Sequence, residues 1–324
     1  MGIPITIISG FLGSGKTTLI NQVIKGSGLS PDEIIIIENE FGEEGIDHEL
    51  LIHSKENIVQ MNGGCICCSL RGDLLNALTA TLDVFVKQGY PIKQVIIETS
   101  GISDPQPIIQ TIVATPNLQP YFYLDSVIGV IDAENIEENL KHHEAMKQIV
   151  MSDRLLISEK GVTNLESINQ IKQQMKEVNP LADSHVFSLN NAKEELAKLV
   201  LNNQLFSQSV DNSHDEHHHH HHDFESFIIE AEGSIKESLL HNWLSWLMMN
   251  YQDSIFRMKG FLNVAGQDFQ TEIQGVNQLL NFNLTNRLTE TYCNKLVIIG
   301  KNIDKNEISE AFQLVLAKSK EGMS

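Results

Sequence analysis

Cysteine is scarce in this chain: four residues in 324, three of them crowded into positions 65 to 68. Such a pattern builds no disulfide framework and fits a reducing compartment. Basic residues are also few, 23 against 42 acidic ones, for a formal net charge of −19. No Lys/Arg stripe supplies the footprint that nucleic acid requires, which excludes it as an expected partner. No apolar run approaches the roughly 18 to 20 residues that span a bilayer, and no secretory signal precedes the first strand-like stretch. Met1-Gly2-Ile3-Pro4-Ile5-Thr6 meets the loose myristoylation pattern, but these residues lead into a strand, and lipidation is set aside. A soluble, cytoplasmic protein without a membrane partner is expected. The acidic surface would attract cations, although many proteins use one simply to stay dispersed.

Gly10-Phe11-Leu12-Gly13-Ser14-Gly15-Lys16-Thr17-Thr18 follows the apolar stretch Ile5 to Ile8 and fits GxxxxGK(S/T) at every fixed position. Glycines at Gly10, Gly13 and Gly15 let successive backbone N–H groups, Ser14 among them, turn toward phosphate oxygens. Lys16 reaches the β- and γ-phosphates, the Thr17 hydroxyl ligates Mg²⁺, and the helix opening near Lys16 and Thr18 adds its positive dipole end. Nucleoside triphosphate binding is the expectation.

The length exceeds a typical domain of roughly 100 to 200 residues, so more than one domain is expected. Through residue 201, β-branched runs at Ile34 to Ile37, Val95 to Glu98, Val127 to Ile131 and Leu155 to Ile157 alternate with helical patterns. Helices fit Lys16 to Lys25, Leu70 to Lys87, Glu134 to Met151, Leu165 to Glu177 and Lys193 to Leu199. That alternation predicts an α/β domain, residues 1–201, with a mainly parallel sheet and helices on both faces. Residues 202–223 are polar and histidine-rich and read as a linker. Residues 224–324 predict a smaller α+β domain: a strand Phe224 to Glu230, a helix Ser234 to Asn250, four further strands and a closing helix Asp304 to Ala317.

Gly63-Gly64-Cys65-Ile66-Cys67-Cys68 precedes a predicted helix that Ser69 would cap. A helix N-terminus lowers thiol pKa, and Cys65, Cys67 and Cys68 with one further ligand would complete a tetrahedral Zn²⁺ site. Buried apolar cysteines or a redox pair are the alternatives, and a vicinal Cys67-Cys68 disulfide would be strained. The acidic run Glu38 to Asp47, leaving the second strand, could supply the remaining ligand or could be an ordinary solvated loop. Val95-Ile96-Ile97-Glu98-Thr99-Ser100-Gly101 ends a buried strand with a carboxylate, Glu98, where a P-loop enzyme holds Mg²⁺ or its water shell. Gly101 beside it allows the close backbone approach that a γ-phosphate sensor needs.

Taken in order, the phosphate loop, Ile37-Glu38-Asn39-Glu40-Phe41-Gly42-Glu43, Asn62-Gly63-Gly64-Cys65-Ile66-Cys67-Cys68 and Glu98-Thr99-Ser100-Gly101 closely resemble the CobW-type metallochaperone GTPases, relatives of the HypB and UreG nickel-insertion proteins. The resemblance extends through Asp104-Pro105, Val130-Ile131-Asp132-Ala133 and Asp153-Arg154 to Lys259-Gly260, Gln274-Gly275-Val276 and Val297 to Gly300 after the linker. It implies a GTPase whose nucleotide state, GTP or GDP, is coupled to transfer of Zn²⁺, or in some branches cobalt or iron, to a client protein; ligand softness alone also admits nickel. It also implies Cys65, Cys67 and Cys68 as metal ligands with Glu38 and Glu43. Family members often carry histidine-rich stretches before the second domain, where His214, His217, His218, His219, His220, His221 and His222 stand. These imidazoles are expected to capture or buffer metal, the alternative being a linker of biased composition. The remaining histidines, His142 and His185 among them, read as ordinary surface or core residues.

One motif departs from the family. The guanine-reading NKxD pattern stands here as Ser158-Glu159-Lys160-Gly161, so the carboxylate that would accept the guanine N1 and N2 hydrogens is missing or displaced. A site that loses such a group discriminates less. Ser158 and Ser188, the latter in Ser188-Leu189-Asn190, are the candidates for the base pocket. Two other functions stay open at this level: a histidine-rich metal buffer with little NTPase activity, and an ATP-dependent phosphotransferase. The client and the oligomeric state are not readable from the sequence.

Overall fold

A computed structural model describes residues 2–39, 58–60, 69–159, 164–207 and 224–321. The chain divides into two compact units, residues 1–176 with 182–208 and residues 177–181 with 209–324.

In the first unit the described residues form a seven-stranded sheet. Its strands are β1 (Ile3–Gly10), β2 (Ile34–Asn39), β3 (Ile58–Gln60), β4 (Gln94–Thr99), β5 (Phe122–Asp132), β6 (Arg154–Ser158) and β7 (Asp183–Phe187), in the spatial order β3-β2-β4-β1-β5-β6-β7. Every pairing is parallel. A parallel sheet covered on both faces needs apolar side chains at successive positions, and Ile34, Ile35, Ile36 and Ile37 are all buried accordingly. The even-numbered set, Ile8, Ile34, Ile36, Ile96, Ile128 and Val130, packs on α1 (Lys16–Gly26) and α7 (Lys193–Val200) through Leu19, Ile20, Val23, Ile24, Leu196 and Val200. Glu38 and Glu98 continue this same face at the carboxyl ends of their strands, the end where such sheets bind ligands.

The remaining helices are α2 (Ser69–Ala80), α3 (Gln106–Ala114), α4 (Ile136–Asn139), α5 (His143–Met151) and α6 (Leu165–Val178). Two of the expected helices are interrupted. The one expected over Leu70 to Lys87 widens into π-helical turns at Thr81–Val86, where Lys87 N–H bonds back five residues to the Leu82 carbonyl at 2.8 Å. The one expected over Glu134 to Met151 breaks into α4 and α5 at His142, whose backbone is extended and whose ring stacks on Phe11. A register shift between Ile5 and Thr6 leaves Asp125 as an extra residue in β5. Its fully buried carboxylate accepts N–H bonds from Asn203 (3.3 Å) and Gln204 (2.8 Å), which ties down the segment after α7. On the face covered by α7, Arg154 grips Asp183 with two bonds of 2.7 and 2.6 Å and donates to the Leu199 carbonyl at 2.8 Å.

The second unit is an antiparallel sheet of five strands, β8 (Glu225–Ala231), β9 (Ile255–Leu262), β10 (Phe269–Val276), β11 (Leu279–Leu288) and β12 (Asn294–Gly300), in the order β11-β10-β9-β12-β8. Helices α8 (Glu237–Tyr251) and α9 (Lys305–Glu321) cover one face through Leu240, Trp243, Leu247, Ile308, Phe312 and Leu316 against Met258, Leu262, Ile273 and Ile298. The α+β expectation holds here. Among the described residues no helix is long and apolar enough to cross a membrane.

Candidate nucleotide and metal site

The phosphate loop leaves β1 at Gly10, where a Cβ would stand 2.5 Å from the Val130 carbonyl oxygen and 2.8 Å from Ser14 Oγ, so only glycine fits. The loop tightens through the Ser14 N–H, which donates to the Phe11 carbonyl at 3.2 Å. Gly15 then starts α1 from a left-handed conformation, φ 93°, with no side chain capping the helix. Gly15 has no side chain to cap α1, and the helix N-terminus faces the loop, the arrangement that binds phosphate. Lys16 is buried, its Nζ donating to the Gly10 carbonyl at 2.9 Å and the Phe11 carbonyl at 3.2 Å. Ser14 Oγ is buried and meets no hydrogen-bond partner among the described residues. A buried hydroxyl without a partner beside uncapped amides suits a phosphate oxygen. Thr18 is exposed on the outer side of the first turn.

Thr17 Oγ1 donates to Glu98 Oε1 at 2.7 Å, which joins α1 to the end of β4. Two oxygens so close, at a helix N-terminus that attracts phosphate, are the hard donors that Mg²⁺ takes. Glu98 lies in register with Ile8 on β1 and with Glu38 on β2. Residues in register on adjacent parallel strands point the same way, with their backbones about 4.8 Å apart. Glu38, buried at 4% exposure, is thus the lateral neighbour of the carboxylate that holds Thr17. Gly101, two residues past β4, packs so closely on Leu12 that a Cβ would lie 2.7 Å from the Leu12 nitrogen.

Other expected site residues stand farther along the same sheet edge. Ser158 ends β6 in register with Asp132 on β5 and Phe187 on β7. Ser188 follows β7, its N–H donating to Asn191 Oδ1 at 2.6 Å and its Oγ accepting from the Asn190 N–H at 3.3 Å. Glu43, Cys65, Cys67, Cys68, Lys160, Gly161, His214 and His217 to His222 lie outside the described residues. Among the described residues no group of three or more His, Cys, Asp or Glu is placed to hold a metal ion.

Two residues at this edge stand outside the expected site set, although Asp132 belongs to the run Val130-Ile131-Asp132-Ala133 that shares in the family resemblance. His142 stacks on Phe11 of the phosphate loop, ring centroids 4.8 Å apart and planes 24° from parallel. It reads as an ordinary histidine because its partner is 131 positions away. Asp132 is buried at the end of β5 and accepts from the Glu134 N–H at 3.2 Å and Asn135 Nδ2 at 2.9 Å. The apolar run before it, the signal that singled out Glu98, was available for Asp132 as well.

Comparison with known proteins agrees with this architecture. The nucleotide-binding domain of the CobW/HypB/UreG family matches residues 4–186, and the cobalamin synthesis protein CobW C-terminal domain matches residues 224–316. Zinc chaperone YjiA of Escherichia coli is 28% identical over 96% of this chain and 98% of its own length. Zinc-regulated GTPase metalloprotein activator 1 of Dictyostelium discoideum is 29% identical over 65% of this chain and 50% of its own length. The crystal structure of Zn(II)-bound YjiA GTPase from E. coli superposes with a TM-score of 0.76 at 26% identity, covering 97% of this chain and 99% of that one. With both domains matched in order over most of its length, the chain belongs to the CobW/HypB/UreG family.

Proposed function

We propose that this protein is a cytoplasmic P-loop GTPase that carries a transition metal, zinc foremost, and releases it to a client metalloprotein in step with its nucleotide state. The observation that carries the reading is the path Thr17–Glu98–Glu38: a 2.7 Å hydrogen bond followed by one step of strand register. Lys16 and the first-turn amides of α1 would hold the β- and γ-phosphates. Thr17 would ligate Mg²⁺ with Glu98 behind it, and Mg²⁺ bound there neutralises charge on the phosphate oxygens. Glu38 and Glu43 with the thiolates of Cys65, Cys67 and Cys68 form a donor set suited to zinc, and cobalt, nickel or iron would also be accepted by it. His214 and His217 to His222 would gather metal weakly nearby in sequence. Relatives named as zinc chaperones and as a zinc-regulated GTPase support both the metal and guanine nucleotides.

The test is zinc affinity, measured by chelator competition with a GTP analogue, with GDP and without nucleotide. Coupling of about 1 to 3 kcal/mol would separate these states by roughly 5- to 150-fold. Equal affinities in all three states would refute the coupling. Cys67→Ala should lower the bound zinc in every state. In the same preparation, Lys16→Ala should abolish hydrolysis; hydrolysis independent of Lys16 would leave a metal buffer as the better description. Direct competition should favour GTP over ATP, whereas an ATP preference would point to a phosphotransferase.

A further inference from the structure

Helix α5 touches both of the loops that frame the phosphate site. His142, which caps its N-terminus, stacks on Phe11 of the phosphate loop, and Lys147 Nζ meets Asp104 Oδ2 at 2.9 Å. The third contact is buried. Gln148, 2% exposed, donates through Nε2 to the Gly101 carbonyl at 3.2 Å and to the Ser103 carbonyl at 3.0 Å. Its Oε1 meets no donor among the described residues. A buried amide oxygen without a donor costs stability, and methionine would fill nearly the same space without that cost. Packing therefore does not account for this side chain. What only glutamine supplies here is the pair of donors.

The two carbonyls belong to the turn that follows β4. The Ser103 N–H closes that turn on the Ser100 carbonyl at 3.1 Å, and the Ser100 and Ser103 hydroxyls lie 2.6 Å apart. The closing bond orients the Ser100–Gly101 peptide, but a glycine leaves the next peptide free to rotate unless something else holds it. Gln148 holds it. In a trans peptide the N–H points opposite to the C=O, and the chain has no cis bond. The Gly101 N–H therefore points out of the turn, and the Ile102 N–H points away from the Gln148 amide. Neither donates to an acceptor among the described residues, although Gly101 is buried. Buried backbone donors are nearly always paired. Two adjacent free ones, at a glycine packed on Leu12 of the phosphate loop, are what a phosphate oxygen takes.

We propose that Gln148 is a positioning residue for the γ-phosphate: by holding the Gly101 and Ser103 carbonyls against α5, it aims the Gly101 and Ile102 N–H groups at the terminal phosphate and so sets the preference for triphosphate over diphosphate. The inference rests on the GTPase part of the proposed function and not on its metal part. A diphosphate, held by Lys16 and the first turn of α1, does not use these two N–H groups. Loss of the Gln148 donors is therefore felt by the triphosphate alone, which separates positioning from a general contribution to folding.

The test is the affinity of the full chain for a fluorescent, non-hydrolysable GTP analogue and for the matching GDP analogue, in Mg²⁺ and without added zinc. Gln148→Met should weaken the triphosphate at least tenfold and leave the diphosphate within twofold. Val150→Ala, a truncation at another buried position of α5, should lower the unfolding temperature without separating the two ligands. Gln148→Glu keeps the length of the side chain, but a carboxylate cannot donate, whereas its protonated form regains one donor. Relative to wild type, its triphosphate affinity should be poor at about pH 8 and recover in part at about pH 5.5, because burial beside two carbonyl oxygens favours the protonated form. The proposal is overturned if Gln148→Met weakens both ligands equally or neither, or if the Gln148→Glu deficit is independent of pH. A wild-type chain that binds neither analogue would instead overturn the GTPase reading, and this inference with it.

Discussion

Alanine at position 101 should damage nucleotide binding from outside the phosphate loop. A Cβ there would sit 2.5 Å from Leu12 Cδ2, 2.7 Å from Leu12 N and 2.8 Å from Leu12 Cα. Carbon atoms rest about 3.5 to 4.0 Å apart, so the loop would have to retreat by roughly 0.7 to 1 Å. Gly101 itself is poorly placed to yield. Its carbonyl accepts Gln148 Nε2 at 3.2 Å, and the same amide holds the Ser103 carbonyl at 3.0 Å from a fully packed position on α5. Overpacking of this kind costs about 1 to 3 kcal/mol. Expressed in the loop's affinity for phosphates, that is roughly a 5- to 150-fold rise in Kd for a fluorescent GDP analogue. Thermal unfolding should fall by only a few degrees. Because the Leu12 side chain can swing aside but its N and Cα cannot, Leu12→Ala in the Gly101→Ala background should restore only part of the affinity. A Kd within twofold of wild type for Gly101→Ala, or full recovery in the double variant, would refute the backbone clash.

Thr17→Val keeps the shape of the side chain but removes the hydroxyl that meets Glu98 at 2.7 Å; nucleotide affinity in Mg²⁺ should drop at least tenfold, while affinity in EDTA should change little. Asp125→Ala strips the acceptor from the Asn203 and Gln204 N–H groups, which should cost about 1 to 3 kcal/mol in urea unfolding. Burial would push the Asp183 carboxyl up, but hydrogen bonds and charge from Arg154 and His185 hold it at about 2, below its ordinary 3.8. A depressed carboxyl stabilises the fold fully above 3.8 and loses that contribution as pH falls toward 2. With the side chain 42% exposed, the amount is discounted to about 1 kcal/mol. Asp183→Asn should therefore unfold more easily at pH 6 and lose its deficit near pH 2, and a deficit unchanged at pH 2 would refute the assignment.

The parallel sheet was legible because covering both faces forces continuous β-branched runs, as in Ile34 to Ile37. β7 was not: Asp183-Ser-His-Val-Phe187 is polar because it closes the sheet at its edge, where Asp183 binds Arg154 and His185 meets Asp183 at 3.3 Å, outside the core. The helix break at His142 was hidden for a different reason. The extended residue there makes a ring contact with Phe11, 131 positions away, while the local periodicity of residues 134–151 continues through it. The site divides in the same way. Lys16, Thr17 and Glu98 carry local signatures, a glycine loop and a strand-ending acid, whereas the lateral neighbourhood of Glu38 and Glu98 is a matter of register that only pairing reveals.

That register also bounds how nucleotide and metal can communicate on the proposed assignments. Two unit charges about 5 Å apart interact by roughly 3 kcal/mol at an effective dielectric near 20. Glu98 is partly exposed, so screening brings the figure into the 1 to 3 kcal/mol typical of coupled sites. No long chain of moving parts is needed; one pair of neighbouring carboxylates suffices. A cation at Thr17 and Glu98 cancels a negative charge that otherwise favours a cation at Glu38. Mg²⁺ without nucleotide should therefore weaken zinc binding, and the γ-phosphate should reverse the effect. Glu98→Gln removes that charge in every state, so its zinc affinity should be nearly the same with GTP analogue, GDP or no nucleotide. If the variant keeps the full wild-type dependence, the coupling runs through other residues and the Glu98–Glu38 pair is only a neighbourhood.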